Sequence, residues 1–361
     1  MTVKQKLQTT GGFVTLPKLM LECGKVIEDV KLAYERCGPA TGEVILVCHA
    51  LTGNQFTVGT AEEPGWWRGL INSNGYVDAQ RYQVMTFNVI GGCNGSTGPV
   101  SINPKTGEPY RTSLPFISVR DMVRAQYEAL KLLGIAKLKA VIGGSLGGMQ
   151  TLEWAMMYPE ATEQVIVLAA TPSLSDYGIT YNAIARKAIL DDPNWNNGCY
   201  SKAAFPKSGL SIARMLGMIT YRSDRLFNQR FHRDKKEPWG EKHDEVAYQV
   251  ESYLLYQGDK FTERFDPNSY LYLLKAMDHH DLEDGRGSLV EILGRFKKKV
   301  QLIAFQGDLL YPAAEMKRFG ELWRQAGANV CFHEVETIFG HDGFLTEFEK
   351  WGNVVQAALK Q

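Results

Sequence analysis

The sequence has no excess of charge of either sign: its 361 residues include 40 basic and 40 acidic side chains, so the formal net charge is zero. This balance gives no electrostatic reason to expect binding to nucleic acid or to an anionic membrane surface. No apolar run is long enough to span a bilayer, and the first residues are polar, unlike a signal segment. We therefore expect a soluble, cytoplasmic protein with neither kind of partner.

The sequence also lacks close pairs of cysteine, because none of its six cysteines forms a C-x-x-C motif. A disulfide framework or a zinc site is therefore not expected. His279, His280 and Asp281 carry metal-ligating groups, but adjacent residues rarely converge on one ion. The two histidines end a predicted helix, where positive charge suits the helix dipole. We expect no metal.

Glycine is concentrated around Ser145, in the run Gly143-Gly144-Ser145-Leu146-Gly147. An apolar strand is predicted at 138–142 and a helix at 150–158, so Ser145 lies at a strand-to-helix corner. The spacing matches the G-x-S-x-G nucleophile elbow, in which glycines prevent a collision between strand and helix. The sequence therefore predicts a nucleophilic serine beside a helix N-terminus, which favours developing negative charge.

The order of predicted elements indicates the α/β class and an α/β-hydrolase fold, with a mostly parallel central sheet, helices on both faces and an inserted helical cap. Apolar groups between residues 12 and 34 predict short antiparallel strands with a turn at 24–25. Apolar runs then predict buried strands at 44–48, 82–90, 138–142, 165–170, 300–305 and 330–335. Helical periodicity without buried strands fills 175–293. We expect a core domain of 1–174 and 294–361 and a cap domain of 175–293.

A loop of small residues, 49–54, follows the predicted strand at 44–48. In an α/β-hydrolase the second oxyanion donor lies on such a loop. We assign the two donors to the backbone N–H groups of Leu51 and Leu146. His49 is expected to support the loop by hydrogen bonds.

A serine nucleophile needs a base and an acid that orients it, in the chain order Ser, Asp or Glu, His. Asp308 follows the predicted strand ending at Phe305, and His341 lies in a glycine-rich loop after the last predicted strand. Both positions are at carboxyl ends of strands, where open α/β sheets place their chemistry. Ser145, Asp308 and His341 are therefore the predicted catalytic triad.

The chain resembles the homoserine O-acetyltransferases, acyltransferases of methionine biosynthesis with an α/β-hydrolase fold. The most specific motifs are Gly-Cys-x-Gly-Ser-Thr-Gly-Pro at 92–99 and an Arg-Met helix at 213–221. Leu146 departs from the usual Met of the family, and 173–185 matches it poorly. The segments that carry the resemblance span nearly the whole chain: residues 49–53, 65–67, 91–99, 143–150, 213–221, 250–278 and 340–342.

The resemblance implies a ping-pong transfer of acetyl from acetyl-CoA, a co-substrate and not a resident cofactor, to the hydroxyl of L-homoserine. It implies that Arg214 holds the homoserine carboxylate and Asp342 its ammonium, and that the cap forms a homodimer, in agreement with the apolar run 253–256. Succinyl transfer to homoserine, acetyl transfer to serine and ester hydrolysis remain alternatives. The loops around Ser145 contain no Lys or Arg to pair with a succinyl carboxylate. We therefore favour acetyl.

Overall fold

The computed structural model describes residues 7–236 and 242–360. Its main feature is an eight-stranded sheet in the order β1-β2-β4-β3-β5-β6-β7-β8. The outer strands β1 and β2 pair antiparallel, as do β2 and β4, and every other pair in the sheet is parallel. The strands are β1 (Thr9–Met20), β2 (Val26–Cys37), β3 (Val44–Cys48), β4 (Gln83–Phe87), β5 (Ala140–Gly144), β6 (Gln164–Leu168), β7 (Lys299–Phe305) and β8 (Asn329–Val335).

The predicted α/β fold with a mostly parallel sheet is confirmed. Strands β3 to β6 are buried along almost their whole length, as continuous apolar runs predict for parallel strands covered by other elements. The N-terminal segment differs from the prediction, because it forms two long strands of 12 residues each. The alternation of buried and exposed side chains along both strands explains their length. Leu16 and Val30, for example, lie opposite each other in the antiparallel register and are both buried.

The helices follow the chain order expected for an α/β protein. Helix α1 begins with a capping box between Ser118 and Asp121. Helix α2 packs on β5, β6 and β3, and α9 packs on β7 and β8. The helices are α1 (Val119–Leu132), α2 (Leu146–Met157), α3 (Asp176–Leu190), α4 (Lys207–Thr220), α5 (Asp224–Phe231), α6 (Gln249–Thr262), α7 (Pro267–His279), α8 (Leu289–Leu293), α9 (Ala313–Gln325) and α10 (Phe348–Lys360).

The chain between β6 and β7 forms helices α3 to α8, and α4 packs against both α3 and α6. Helical periodicity in the sequence begins at Asp244, but helix α6 begins at Gln249, where the Glu251 carboxylate accepts the backbone N–H of Tyr248. Across residues 7–236 and 242–360, no helix is both long and apolar enough to cross a membrane. The division into a core of 1–174 and 294–361 and a cap of 175–293 stays a prediction.

A buried network of ion pairs and hydrogen bonds links the segment between β6 and β7 to helices α1 and α2. The Glu153 carboxylate on α2 accepts hydrogen bonds from Arg120 on α1, at 3.2 Å, and from Arg286, at 2.6 Å. Arg120 also donates to the carbonyls of Asp281 and Asp284. Since Glu153 is 0% exposed, its negative charge depends on these two guanidinium groups.

Candidate active site

Ser145 lies at the corner between β5 and α2 with φ 59° and ψ −126°, a backbone conformation that is strained for a residue with a Cβ atom. The flanking glycines are required by space. A Cβ on Gly143 would lie 2.3 Å from the carbonyl oxygen of Gly147, and one on Gly147 would lie 2.1 Å from that of Cys48. Ser145 is the N-cap residue of α2, yet its side chain makes no capping hydrogen bond. The hydroxyl therefore remains available at the positive end of the helix.

The loop after β3 brings Leu51 to the same site. His49 supports this loop as expected, because its Nε2 accepts the N–H of Val89 at 3.0 Å and its Nδ1 lies 2.7 Å from the carbonyl oxygen of Ala50. Burial lowers the pKa of His49 to about 4, so the ring is neutral and Nδ1 is the donor. In residues 7–236 and 242–360, neither Leu51 N–H nor Leu146 N–H donates to another protein group.

Asp308 and His341 form a buried pair. His341 Nδ1 lies 2.7 Å from Asp308 Oδ2. The second carboxylate oxygen, Oδ1, accepts the backbone N–H groups of Leu310 at 2.8 Å and Tyr311 at 3.0 Å. These three hydrogen bonds fix the carboxylate, and the carboxylate in turn fixes the orientation of the imidazole.

The surroundings of His341 set its charge. Burial alone lowers the pKa of His341, but the Asp308 carboxylate and its hydrogen bond outweigh burial, with a further contribution from Asp342, so the pKa is raised above its usual value. The imidazole also lies against aromatic rings, with Tyr311 stacked at 5.4 Å and Phe344 edge-on at 5.3 Å. These rings restrict the motion of the imidazole without titrating near neutral pH.

One cavity of about 110 Å3 joins most of the predicted site residues. Ser145, Leu51, His341, Arg214 and Asp342 all line it, whereas Asp308 lies behind His341. In the described part of the chain no hydrogen bond links the Ser145 hydroxyl to His341. In ligand-free enzymes such contacts are often long and tighten on binding.

Arg214 lies on α4 and extends toward two aromatic rings. Its guanidinium carbon is 5.0 Å from the centre of the Phe261 ring and 5.6 Å from that of Tyr221. No carboxylate pairs with Arg214 among the residues that the structure describes. A half-buried guanidinium without an ion-pair partner, in a cavity wall, suits a ligand carboxylate.

Asp342 already has a partner, which the sequence did not predict. Arg222 Nε lies 3.3 Å from Asp342 Oδ2, and Arg222 also donates to the hydroxyl of Tyr253. Burial raises the pKa of Asp342, although the charges of His341 and Arg222 oppose this. The other oxygen of Asp342, Oδ1, accepts no hydrogen bond within residues 7–236 and 242–360.

Sequence reasoning missed Tyr221 and Tyr311. Tyr221 lines the cavity, and its carbonyl accepts the N–H of Asp342 at 2.8 Å. Tyr311 is fully buried; burial raises the pKa of its hydroxyl, and the Ser145 side chain opposes this rise as a hydrogen-bonding neighbour. The signal for Tyr311 was its position three residues after Asp308, and Tyr221 ends the motif that contains Arg214.

The expectation that His280 is a cation at the end of α7 is wrong. Burial lowers the pKa of His280 to about 3, so its imidazole stays neutral beside Arg120 and Arg286. No cluster of three or more His, Cys, Asp or Glu side chains suited to a metal ion occurs in residues 7–236 and 242–360. His279, His280 and Asp281 therefore do not converge into such a cluster.

Comparisons with a family model, with related sequences and with solved structures agree with the fold described above. A family model described as the alpha/beta hydrolase fold matches residues 43–347. The homoserine O-acetyltransferase of Carboxydothermus hydrogenoformans is 42% identical over 356 residues, which are 96% of this chain and 94% of the relative. The homoserine O-acetyltransferase of Bacillus anthracis has a crystal structure with a TM-score of 0.92, at 28% identity over 99% of this chain and 98% of that one.

An esterase has almost the same fold. Esterase E22 gives a TM-score of 0.90, at 27% identity over 98% of this chain and 100% of that one. Structural likeness alone therefore does not separate transferases from hydrolases, whereas sequence identity over the full length does separate families. At 42% identity over nearly the whole chain, this chain belongs to the homoserine O-acetyltransferase family.

Proposed function

We propose that this protein transfers an acetyl group from acetyl-CoA to the hydroxyl of L-homoserine by a ping-pong mechanism, as a step of methionine biosynthesis. The observation that carries the proposal is the position of Arg214, a cation with no ion-pair partner among the described residues, in the wall of the cavity that contains Ser145 and His341. A simple ester hydrolase has no need of a cation there, whereas an amino-acid acceptor brings a carboxylate to it.

In the first half-reaction, His341 Nε2 takes the proton of the Ser145 hydroxyl as Oγ attacks the thioester carbon. The N–H groups of Leu51 and Leu146 stabilise the oxyanion that forms. When the C–S bond breaks, His341 returns the proton to the thiolate, and coenzyme A leaves. Asp308 keeps the Nδ1 proton of His341 in place and stabilises the imidazolium.

In the second half-reaction, Arg214 binds the carboxylate of L-homoserine and Asp342 binds its ammonium group. The acceptor hydroxyl then gives its proton to His341 and attacks the acetyl carbon on Ser145. The tetrahedral intermediate collapses, and the proton returns to the Ser145 oxygen. These steps use side chains and backbone N–H groups, so the proposal needs acetyl-CoA as a co-substrate and no metal or resident cofactor.

Ester hydrolysis is the second candidate, because esterase E22 has the same fold. Release of thiol from acetyl-CoA, followed with and without L-homoserine, separates the two activities. Transfer predicts one rapid equivalent of thiol without acceptor, then continuous release and O-acetylhomoserine when acceptor is added. Rapid continuous release without acceptor, and no acetylated product, would identify an esterase.

The donor and the acceptor need a separate measurement. The test of the donor is kcat/KM for acetyl-CoA against succinyl-CoA at fixed L-homoserine. The test of the acceptor is the same assay with L-serine in place of L-homoserine. A preference of about tenfold for succinyl-CoA, equal to about 1.4 kcal/mol in transition-state binding, would overturn the donor assignment without affecting the triad.

We also propose a homodimer formed through the helices between β6 and β7. Of the predicted apolar run, Leu255 and Tyr256 are 42% and 58% exposed, and neighbouring helices add further exposed apolar residues, namely Tyr177, Ile184, Leu190, Ile212 and Ile219. Exposed apolar groups at this density favour a protein partner, and a second copy is the simplest one. Sedimentation that shows only monomer at micromolar concentration would refute the dimer. The cytoplasmic location and the absence of nucleic-acid and membrane partners stay predictions.

A further inference from the structure

A second guanidinium lies against the loop 49–54, and its position could not be predicted from the sequence. Arg264 follows the C-terminus of α6, and its Nη1 donates to the carbonyl oxygen of Thr52 at 3.1 Å. Thr52 lies next to Leu51 in the loop that provides the proposed oxyanion donor, and both residues line the cavity. Arg264 itself is exposed. Burial of its head group and the neighbouring Arg214 charge nevertheless lower the pKa of Arg264, so the guanidinium lies only partly in solvent beside the proposed acyl-binding loop.

Arg264 and Arg214 share one aromatic ring. Their guanidinium carbons lie 5.1 and 5.0 Å from the centre of the Phe261 ring, so they are within about 10 Å of each other. Neither forms an ion pair among residues 7–236 and 242–360. Two like charges held this close repel each other, and a bound anion would relieve that repulsion.

Other cations near the site are already paired. Arg186 forms an ion pair with Asp278, and Arg222 forms one with Asp342. In the proposed mechanism Arg214 binds the carboxylate of the acceptor. Arg264 is then the nearby guanidinium in the described structure that has no assigned anion.

We propose that Arg264 binds an anionic group of the acyl-CoA donor at the mouth of the cavity. This inference rests on the proposed function, since it assigns the donor side of the same site. Two groups share the required chemistry: a phosphate of coenzyme A, or the terminal carboxylate of a dicarboxylic acyl group such as succinyl. Both accept a forked pair of hydrogen bonds from a guanidinium.

The test is Arg264→Gln, assayed with three thioesters at saturating L-homoserine: acetyl-CoA, succinyl-CoA and the phosphate-free S-acetyl-N-acetylcysteamine. Loss of a charge-assisted contact to a phosphate should lower kcat/KM about tenfold or more for both CoA esters and leave the phosphate-free thioester unchanged. A loss confined to succinyl-CoA assigns Arg264 to the acyl carboxylate. Either pattern supports the proposal.

Equal losses with all three thioesters would overturn it, because Arg264 would then act only by holding Thr52 and the adjacent loop. Unchanged activity with all three would overturn it as well. Arg295→Gln is the matched control, since Arg295 is exposed and precedes β7 at the opposite edge of the sheet. If the wild-type protein forms no O-acylhomoserine, the proposed function fails instead. Calorimetric binding of coenzyme A to wild type and Arg264→Gln then still tests the phosphate contact, and equal affinities would overturn it.

Discussion

Asp308→Asn tests the orientation of the base with almost no change in shape. Asparagine keeps an oxygen that can accept the backbone N–H groups of Leu310 and Tyr311, as Oδ1 does at 2.8 and 3.0 Å. Its NH2 group then replaces the oxygen that lies 2.7 Å from His341 Nδ1. Because NH2 is a donor, Nδ1 must become an acceptor, and the imidazole proton moves to Nε2. A protonated Nε2 cannot take the proton of Ser145.

We expect kcat to fall about 10⁴-fold, the loss typical of a wrong tautomer in a serine triad, which equals about 5.5 kcal/mol in the activation barrier. The free energy of unfolding should change by no more than about 1 kcal/mol, since two of the three hydrogen bonds remain and the third re-forms with its direction reversed. Thiol release from acetyl-CoA measures the first half-reaction, and the 15N shifts of His341 report the tautomer. Ser145→Ala gives the background rate. Activity within about tenfold of wild type would refute an orienting role for Asp308.

The remaining predictions concern five other positions. Ser145→Ala should abolish the single acetyl group that mass spectrometry detects after incubation with acetyl-CoA, and His341→Ala should lower kcat by a similar factor because the two act as a unit. Since the pKa of His341 is raised and the base must be neutral, kcat/KM for acetyl-CoA should fall as pH drops through a value above the usual 6.5. Asp342→Asn should move this acid-side fall in kcat/KM to lower pH, because the Asp342 charge helps to raise the pKa of His341. Arg214→Ala should raise KM for L-homoserine about tenfold or more without altering the first equivalent of thiol released. Glu153→Gln should reduce the free energy of unfolding by about 3–5 kcal/mol in urea denaturation, because it leaves the largely buried Arg286 guanidinium without its carboxylate, whereas Arg120 keeps its ion pair with Glu22.

The site residues that could be predicted are those identified by a short motif or by their place after a strand. The elbow requires glycine on both sides of Ser145, so the motif reports the backbone conformation directly. Asp308 and His341 follow strands β7 and β8, and parallel strands bring their carboxyl ends to one edge of the sheet. Chain order therefore placed both residues near Ser145 without knowledge of any long-range contact.

The parts that could not be predicted depend on contacts between distant segments. Arg264 meets Thr52 across 212 residues, and Arg222 meets Asp342 across 120. Hydrophobic periodicity carries no information about which helix surface faces which loop. The prediction for His280 failed for the same reason, since a helix end looks exposed in sequence even where the fold buries it. Arg264 likewise reaches the loop at 49–54 from a distant segment, so the absence of Lys and Arg from the loops near Ser145 in sequence did not exclude a cation there.

The choice between transfer and hydrolysis cannot come from the triad, because either water or an amino-acid hydroxyl can give its proton to His341. It must come from how well each nucleophile is held beside the acyl group. Water gains little from the apolar part of the cavity wall, to which Leu174, Leu310 and Phe344 belong. In the proposed mechanism an amino acid gains both Arg214, which has no ion-pair partner among the described residues, and the Oδ1 oxygen of Asp342, and this binding energy orients its hydroxyl. Removing Arg214 should therefore lower transfer and leave slow hydrolysis of the acyl-enzyme unchanged, so the ratio of the two rates measures what the acceptor site contributes.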